Sequence, residues 1–501
     1  MTNSYDEVAY PGFAFPSSHP GNLAAQAILH GLSPAPVREA RVLEIGCGEG
    51  SNLIPMAYAL PGARFTGFDL ARLPIERGQR RIEDLELTNI LLFEGDILTV
   101  GAELGQFDYI LAHGVYAWVP KPVQKRLMAL ISELLAPHGI AFLSYNALPG
   151  CHMRRIVRDA MLFRAESISD PVEQVTAGIE FLDLVRQARS QVRTGDDFYS
   201  KMLLGQFDYL RERDPHATIH DELSEAYEPV TLLDFVGHAR ANGLDYVSES
   251  THPEPFDPVY RPEIVAIVEQ TAGPDPLRQE QMLDYIRARI YRETLLCRSG
   301  LNPSYDPDPA HLRGLFFASS AISSPVPDCA ATRFTLLNGT HTDIQHAGAV
   351  AVLQALGAAW PRGLSCDELA QQIPSSIFAP NEDGLRLLLR LTISKLVEIR
   401  AFQPSAVSAI SARPRASASA RQEALLHSGS PTPRTSTLLH TTAMLADPHL
   451  RALLGLVDGT RDRAALLSGL CAAFPETPPQ ELEQGIERGL SFFLRSGLLE
   501  A

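Results

Sequence analysis

The residues best suited to chemistry begin at Val42. The run Val42-Leu43-Glu44-Ile45-Gly46-Cys47-Gly48-Glu49-Gly50 carries an apolar strand pattern into a turn with three alternate glycines, and a helical pattern follows. Glycine reaches positive φ and lets backbone approach a ligand where a Cβ would clash. A dinucleotide fingerprint would need a third glycine at a longer spacing, to seat a pyrophosphate on the helix N-terminus. Here an acid precedes Gly-x-Gly-x-Gly, which suits a ligand without phosphates whose amino-acid tail passes over the loop. Cys47, between two of the glycines, reads as a small residue and not as a redox centre.

Two more acids follow in register. Phe65-Thr66-Gly67-Phe68-Asp69-Leu70 ends a strand pattern in a carboxylate able to accept both hydroxyls of a ribose. Glu94-Gly95-Asp96-Ile97 ends the next, with Asp96 set for an adenine amino group beside an apolar wall. One acid at a strand end is ordinary loop chemistry. Three after successive strands form a nucleoside-binding pattern.

A second set lies where an acceptor would stand. Ala112-His113-Gly114-Val115-Tyr116-Ala117-Trp118 follows the fourth strand pattern, and Tyr145 and Asn146 close the fifth. His113 could relay a proton, Tyr116 and Trp118 could line the channel, and Tyr145 and Asn146 are the other acceptor candidates. The alternatives stay open: aromatic rings that pack a loop, a structural histidine, and an Asn that starts a Pro-Gly turn. The N-terminal stretch with Tyr10, Phe15 and His19 is either a lid over the ligand or packing on the sheet edge. Arg154, Arg155 and Arg158 read as a solvated helix face.

The elements that position these residues alternate short apolar runs with helical patterns, as parallel α/β folds do. Strands are expected at 41–45, 64–69, 90–94, 107–112 and 140–145, with helices at 52–59 and 121–135 and a helix stop at Ala136-Pro137-His138-Gly139. The fold class is therefore α/β, a Rossmann-like doubly wound sheet with ligands at the strands' carboxyl ends. Residues 1–150 form its first part and 151–228 a helical insertion with an apolar stripe of Met153, Ile156, Val157, Ala160 and Met161. Residues 229–325 complete the core through a helix at 231–244 and strands at 245–249 and 293–298. Residues 326–501 form a C-terminal domain of two winged-helix-like units, read from a weak repeat between 353–401 and 453–499. The Ser-, Ala-, Arg- and Pro-rich stretch 405–435 reads as a linker or loosely ordered crossover. On this division a chain lacking 326–501 should still bind the ligand, whereas one ending at Gly150 should not fold.

With 501 residues, 45% hydrophobic and 20% charged, the chain is a multidomain globular protein. Its formal net charge of −16 argues against nucleic acid; an acidic surface favours encounter with cationic, lysine-rich partners, and taken by itself it reads first as a device for solubility. No apolar run has bilayer-crossing length. The first residues lack a secretion signal, so neither a membrane nor export is expected and the location expected is the cytoplasm. Six dispersed cysteines form no CxxC pair, so no metal site is expected.

The flanking segments are more specific. Ser4–Ala24 (SYDEVAYPGFAFPSSHPGNLA), Tyr109–Pro120 (YILAHGVYAWVP), Ser144–Leu162 (SYNALPGCHMRRIVRDAML), His220–Val230 (HDELSEAYEPV) and Leu453–Leu467 (LLGLVDGTRDRAALL) resemble one bacterial family. It comprises class I methyltransferases with a methyltransferase regulatory domain, including rickettsial lysine methyltransferases that act on an outer-membrane protein. The resemblance implies S-adenosyl-L-methionine as cofactor, bound by Glu44, Gly46, Gly48, Gly50, Asp69, Leu70, Asp96, Ile97 and Ala112. It implies a lysine-containing protein partner, in the family's case an outer-membrane protein precursor, and is compatible with a homodimer. The chain departs from the pattern at Cys151 and at Thr231-Leu232-Leu233, where the family carries aromatic or His residues, which puts the substrate in doubt. A small-molecule N- or O-methyltransferase and a cofactor-binding regulator without turnover are the competing readings.

Overall fold

The computed structural model describes residues 12–191, 198–212, 215–224, 226–251, 261–427, 429 and 432–501. Five apolar runs become parallel strands: β1 (Arg41–Ile45), β2 (Arg64–Asp69), β3 (Ile90–Glu94), β4 (Phe107–Ala112) and β5 (Leu135–Asn146). Two more complete the sheet, β6 (Leu244–Glu249) and β7 (Tyr291–Arg298), and β7 is antiparallel to both β5 and β6. The order β3-β2-β1-β4-β5-β7-β6 reverses direction between β1 and β4, the crevice where doubly wound sheets bind ligands.

Both sheet faces are covered, so most strand residues are buried irrespective of parity. On one face Val42, Tyr109 and Phe142 pack under helices α1 (Pro20–Leu29) and α2 (Leu53–Ala59). On the other, Leu43, Ile110, Leu143 and Tyr145 meet α3 (Lys121–Leu134) and α4 (Leu232–Ala241).

The helix α3 stops at Leu134 as expected, but Ala136–Gly139 already belongs to β5, which begins at Leu135 and not at 140. Leu135 pairs with Phe107 across a bulge and its carbonyl accepts a bond from Arg298 Nε (3.0 Å), so pairing with neighbours overrides the turn signal. The last strand likewise starts at Tyr291, two residues early, because Tyr291 and Arg292 pair with Asn146 and Tyr145.

Between β5 and β6 four helices, Cys151–Ala165, Pro171–Ser190, Phe198–Glu212 and Pro215–Glu222, pack around Val157, Met161, Leu182, Met202 and Phe207. Of the expected stripe, Ile156 faces outward. The stretch 405–435 is not a loose crossover. It supplies strand Arg415–Ala416, helix Ala418–Leu426 and the start of strand Arg434–Ser436, and Glu423 is buried against the first domain.

The C-terminal repeat is structural. In the first unit Phe316–Ala318 lies between Leu364–Ser365 and Glu398–Arg400, with helices Ala347–Ala359, Cys366–Gln372 and Glu382–Ile393. In the second, Arg415–Ala416 pairs with Leu499–Glu500 and bridges to Asp458, with helices Pro448–Leu456, Arg463–Ala473 and Pro479–Arg495. The second helix of each starts at a polar cap, Ser365 or Asp462.

Candidate active site

The glycine loop crosses from β1 to the tip of β2: the Gly46 and Cys47 amides donate to the Phe68 carbonyl at 2.9 and 3.2 Å. Gly46, Gly48 and Gly50 have φ of 74°, 55° and 74°. A Cβ on Gly46 would stand 2.6 Å from Val115, whereas one on Gly48 would meet nothing within 4 Å. Gly46 is thus required by packing, and Gly48 presents bare backbone to open space. Asp69 closes the loop, its Oδ2 accepting from the Gly48 amide (2.9 Å) and its Oδ1 from Ala71 (2.8 Å). At the tip of β2 Leu70 leaves 59% of its surface exposed, an apolar group a ligand could cover. Asp96 accepts from the Leu98 amide (2.9 Å), Ile97 packs half-buried against the core, and Ala112 is buried at the end of β4.

Glu44 lies beneath this loop. Its Oε1 accepts from Asn52 Nδ2 at 2.8 Å, while the buried Oε2 has no hydrogen-bond partner among the described residues. Burial, with a smaller push from the Asp69 carboxylate, raises its pKa to about 8. An orphaned, deeply buried carboxylate oxygen beside open backbone is what the ammonium end of an amino-acid tail would satisfy. Asn52 is a hub: Oδ1 accepts from the Phe15 amide (3.0 Å) and meets His440 Nε2 (2.8 Å), and Nδ2 also donates to Ser18 Oγ (3.0 Å). Neither Asn52 nor His440 carried a motif signal. The N-terminal stretch therefore lies over the site, with the Phe15 ring stacked 3.7 Å from that of His113 and His19 capping α1; Tyr10 is outside the described residues.

The acceptor candidates separate into two groups. Tyr116 and Tyr145 are in the core, 5.1 and 4.1 Å from the Phe235 ring, with hydroxyls on His238 Nδ1 (2.8 Å) and Thr294 Oγ1 (3.2 Å). Burial pushes the Tyr116 phenol up to about 12. At the strand tips remain His113, Trp118 and Asn146. His113 sits between Phe15 and Phe142 with Nε2 3.2 Å from the Tyr291 hydroxyl, and burial depresses its pKa to about 4. Trp118 packs 5.2 Å from Tyr227, with the Arg154 guanidinium 5.4 Å from its ring. Asn146 is buried with no partner for Oδ1 among the described residues.

The expected solvated arginine face is a correction. Only Arg155 is exposed; Arg154 binds Glu222 (2.6 Å) and Arg158 is buried over the Tyr227 ring (5.2 Å). Periodicity places a charge on a helix face but cannot reveal that a later segment covers it.

Comparison with known proteins fits this geometry. Residues 42–139 match the model described as "Methyltransferase domain", and 214–298 that described as "Predicted methyltransferase regulatory domain". The Rickettsia prowazekii protein RP028 is 41% identical over 183 residues, covering 36% of this chain and 73% of that protein. The chain belongs to the class I methyltransferases with a regulatory domain. A second R. prowazekii protein, RP789, is 32% identical over 299 residues, 60% of this chain, and the match spans only 53% of that protein's own length. PKMT2 from Rickettsia typhi, solved in complex with AdoHcy, shares the fold over 98% of this chain and 99% of its own, with a TM-score of 0.85 at 24% identity.

The cofactor of this methyltransferase is S-adenosylmethionine. The orphaned Glu44 oxygen, the open face at Gly48 and the exposed Leu70 fit such a ligand. The matched regulatory segment is no appendage, since 214–298 contains β6 and β7 and hence two strands of the catalytic sheet.

Proposed function

We propose that the protein transfers methyl groups from S-adenosylmethionine to lysine side chains of a protein, an outer-membrane protein precursor being the substrate class that the sequence resemblance favours. The observation that carries this reading is a ring-walled corner at the ends of β4 and β5, formed by the half-buried Phe15, His113 and Trp118 and the buried Tyr227 and Asn146. The acidic chain, at −16, favours encounter with lysine-rich surfaces, and the likeness to PKMT2 along nearly the whole chain supports the same reading.

When bound, the cofactor supplies an electrophilic sulfonium methyl. Glu44 would pair with its ammonium, Asp69 would accept its ribose hydroxyls, and Asp96 with Ile97 and Leu70 would receive the adenine. Gly48 would leave room for the amino-acid tail, while Gly46 and Gly50, packed on Val115 and on Leu92 and Ile54, would hold the turn, with the buried Ala112 behind it. A lysine ammonium has a pKa of about 10.4 in water, and a water-poor corner lowers it by disfavouring the charge. His113, with a pKa of about 4, is too weak a base to take that proton itself, so its part is to wall and orient. The ammonium would first lose a proton to solvent, and the neutral amine would then take the methyl in line, the N–C bond forming as the C–S bond breaks and S-adenosylhomocysteine leaves.

The same reading includes a homodimer and a cytoplasmic location. Ile156, Phe163, Val172 and Leu184 leave an apolar face exposed on the inserted helices, and sedimentation velocity tests whether it pairs. Among the described residues no helix is long and apolar enough to cross a membrane. To test the reaction, labelled cofactor is incubated with the protein and a lysate of its source cell. Label on protein lysines by mass spectrometry is expected; label only in small molecules, or on carboxylates, overturns the lysine reading.

A further inference from the structure

The segment after the insertion threads across the strand tips. The Glu228 amide donates to the Ala117 carbonyl (2.8 Å) beyond β4, and Val230 exchanges backbone bonds with Asn146 (3.1 Å) and Leu148 (2.9 Å) beyond β5. This carries Tyr227 into the acceptor corner. Its ring lies on Trp118 between the guanidinium groups of Arg154 and Arg158, at 5.8 and 5.2 Å. Its hydroxyl approaches the Cys151 thiol, beside which the Asn146 amide also stands, and that thiol donates to the Ile290 carbonyl (3.1 Å).

Two atoms in this corner are anomalous. Tyr227 is 5% exposed and Asn146 3%, yet apart from the Cys151 thiol that both side chains face, neither the Tyr227 hydroxyl nor Asn146 Oδ1 has a hydrogen-bond partner among the described residues. Buried polar atoms are nearly always paired, and an unpaired one is destabilising. Two of them flanking one thiol, at the end of the sheet where the acceptor stands, call for a ligand with N–H donors. Burial pushes the Tyr227 phenol well up, so it stays neutral, and the pair adds no negative charge that would hold the lysine as an ammonium.

We infer that Asn146 Oδ1 and the Tyr227 hydroxyl are the amine-binding pair of the acceptor site, taking the two N–H groups of the neutral lysine amine and leaving its lone pair aimed at the transferred methyl. This rests on the lysine reading above and assigns the atoms that carry it. The N lone pair forms the new N–C bond as the C–S bond breaks; the ammonium product then loses a proton to solvent, and each methyl added removes one N–H from the pair.

The pair predicts a graded response to acceptors that differ only in N–H count. Tyr227→Phe and Asn146→Leu keep volume and remove one acceptor atom each. On a peptide spanning a labelled lysine, each variant should lower kcat about tenfold for unmodified lysine, less for monomethyl-lysine, and least for dimethyl-lysine, whose neutral amine has no N–H. Tm should stay level or rise, because an unpaired buried atom has been removed, and affinity for S-adenosylhomocysteine by calorimetry should not change. Equal slowing on all three peptides, or none, in variants with unchanged Tm and cofactor affinity overturns the assignment. A fall in Tm shared by both variants also overturns it, since the atoms would then be structural. Absence of lysine label with the wild-type protein is a separate outcome, which removes the function itself.

Discussion

A carboxyl group buried as Glu44 is resists ionising, and its pKa of about 8 would make the proposed cofactor site proton-linked. The folded chain holds this proton more tightly than the unfolded chain, whose glutamate titrates near 4.5. Its contribution to stability is therefore fully present below about 4.5 and lost as pH rises through about 8. Glu44→Gln removes this dependence. Without cofactor, Tm of the variant minus that of wild type should climb between pH 5 and pH 9, and a flat difference refutes the assignment. Pairing with an ammonium should expel the proton, so calorimetry near pH 7 in buffers of different ionisation heat should register proton release for wild type only. Asp69 holds two backbone amides as well as its proposed ribose contact. Asp69→Ala should weaken cofactor binding by about 1.5–3 kcal/mol, the range for hydrogen bonds to a charged group, and unchanged affinity would remove it from the site.

At the scale of elements, β7 is antiparallel to its neighbours and is fastened by a buried ion cluster. Arg292, 1% exposed, binds Asp284 (2.8 Å), Glu249 (2.8 Å) and Glu280 (3.2 Å), joining β7 to β6 and to helix Pro276–Arg287. Removing one member leaves uncompensated buried charge, so Arg292→Met should cost about 3–5 kcal/mol in urea denaturation. A loss below about 1 kcal/mol would mean that the cluster is not what holds the strand. The N-terminal strap behaves differently. His19 and His440 are buried with rings 5.0 Å apart, and burial drives His19 down to about 3 and His440 well below its ordinary value. Both are neutral when folded, so their contribution is present above about 6.5 and lost as pH falls toward 3. Tm should fall between pH 7 and pH 5, and less steeply in His440→Asn.

For the whole molecule, the C-terminal region packs on the elements that surround the glycine loop and is not hung beside them. Arg81 and Glu423 form a buried pair at 2.7 Å, Tyr58 donates to Glu500 (2.9 Å), and His440 meets the residue that holds Glu44. These contacts point the other way from the expectation that a chain lacking 326–501 would keep cofactor binding. Such a truncation should lose it, because Arg81 is stranded and Asn52 loses a partner. Full-affinity binding by the truncated chain would show the contacts to be incidental. Glu423→Gln should cost about 3–5 kcal/mol with the chain intact, as expected for breaking a buried pair.

The sequence by itself determined the strands from β1 to β4, the glycine turn and the three acids at successive strand ends, because periodicity, glycine spacing and caps are local properties of a chain. It also placed β6 and β7 after a helical insertion, within two residues, and marked the C-terminal repeat. Only the tertiary structure decided which faces those residues meet. Tyr145 shares parity with Leu143 and points into the core, while Asn146 turns toward the acceptor corner, and an aromatic residue at a strand end reads alike in either position. Arg154 was legible as a helical charge but not as the partner of Glu222, nor Asn52 as the partner of a histidine 388 residues away. A helical or strand period states that one side of an element is apolar; which distant segment closes over it is set by packing, and the acceptor corner is made of such closures.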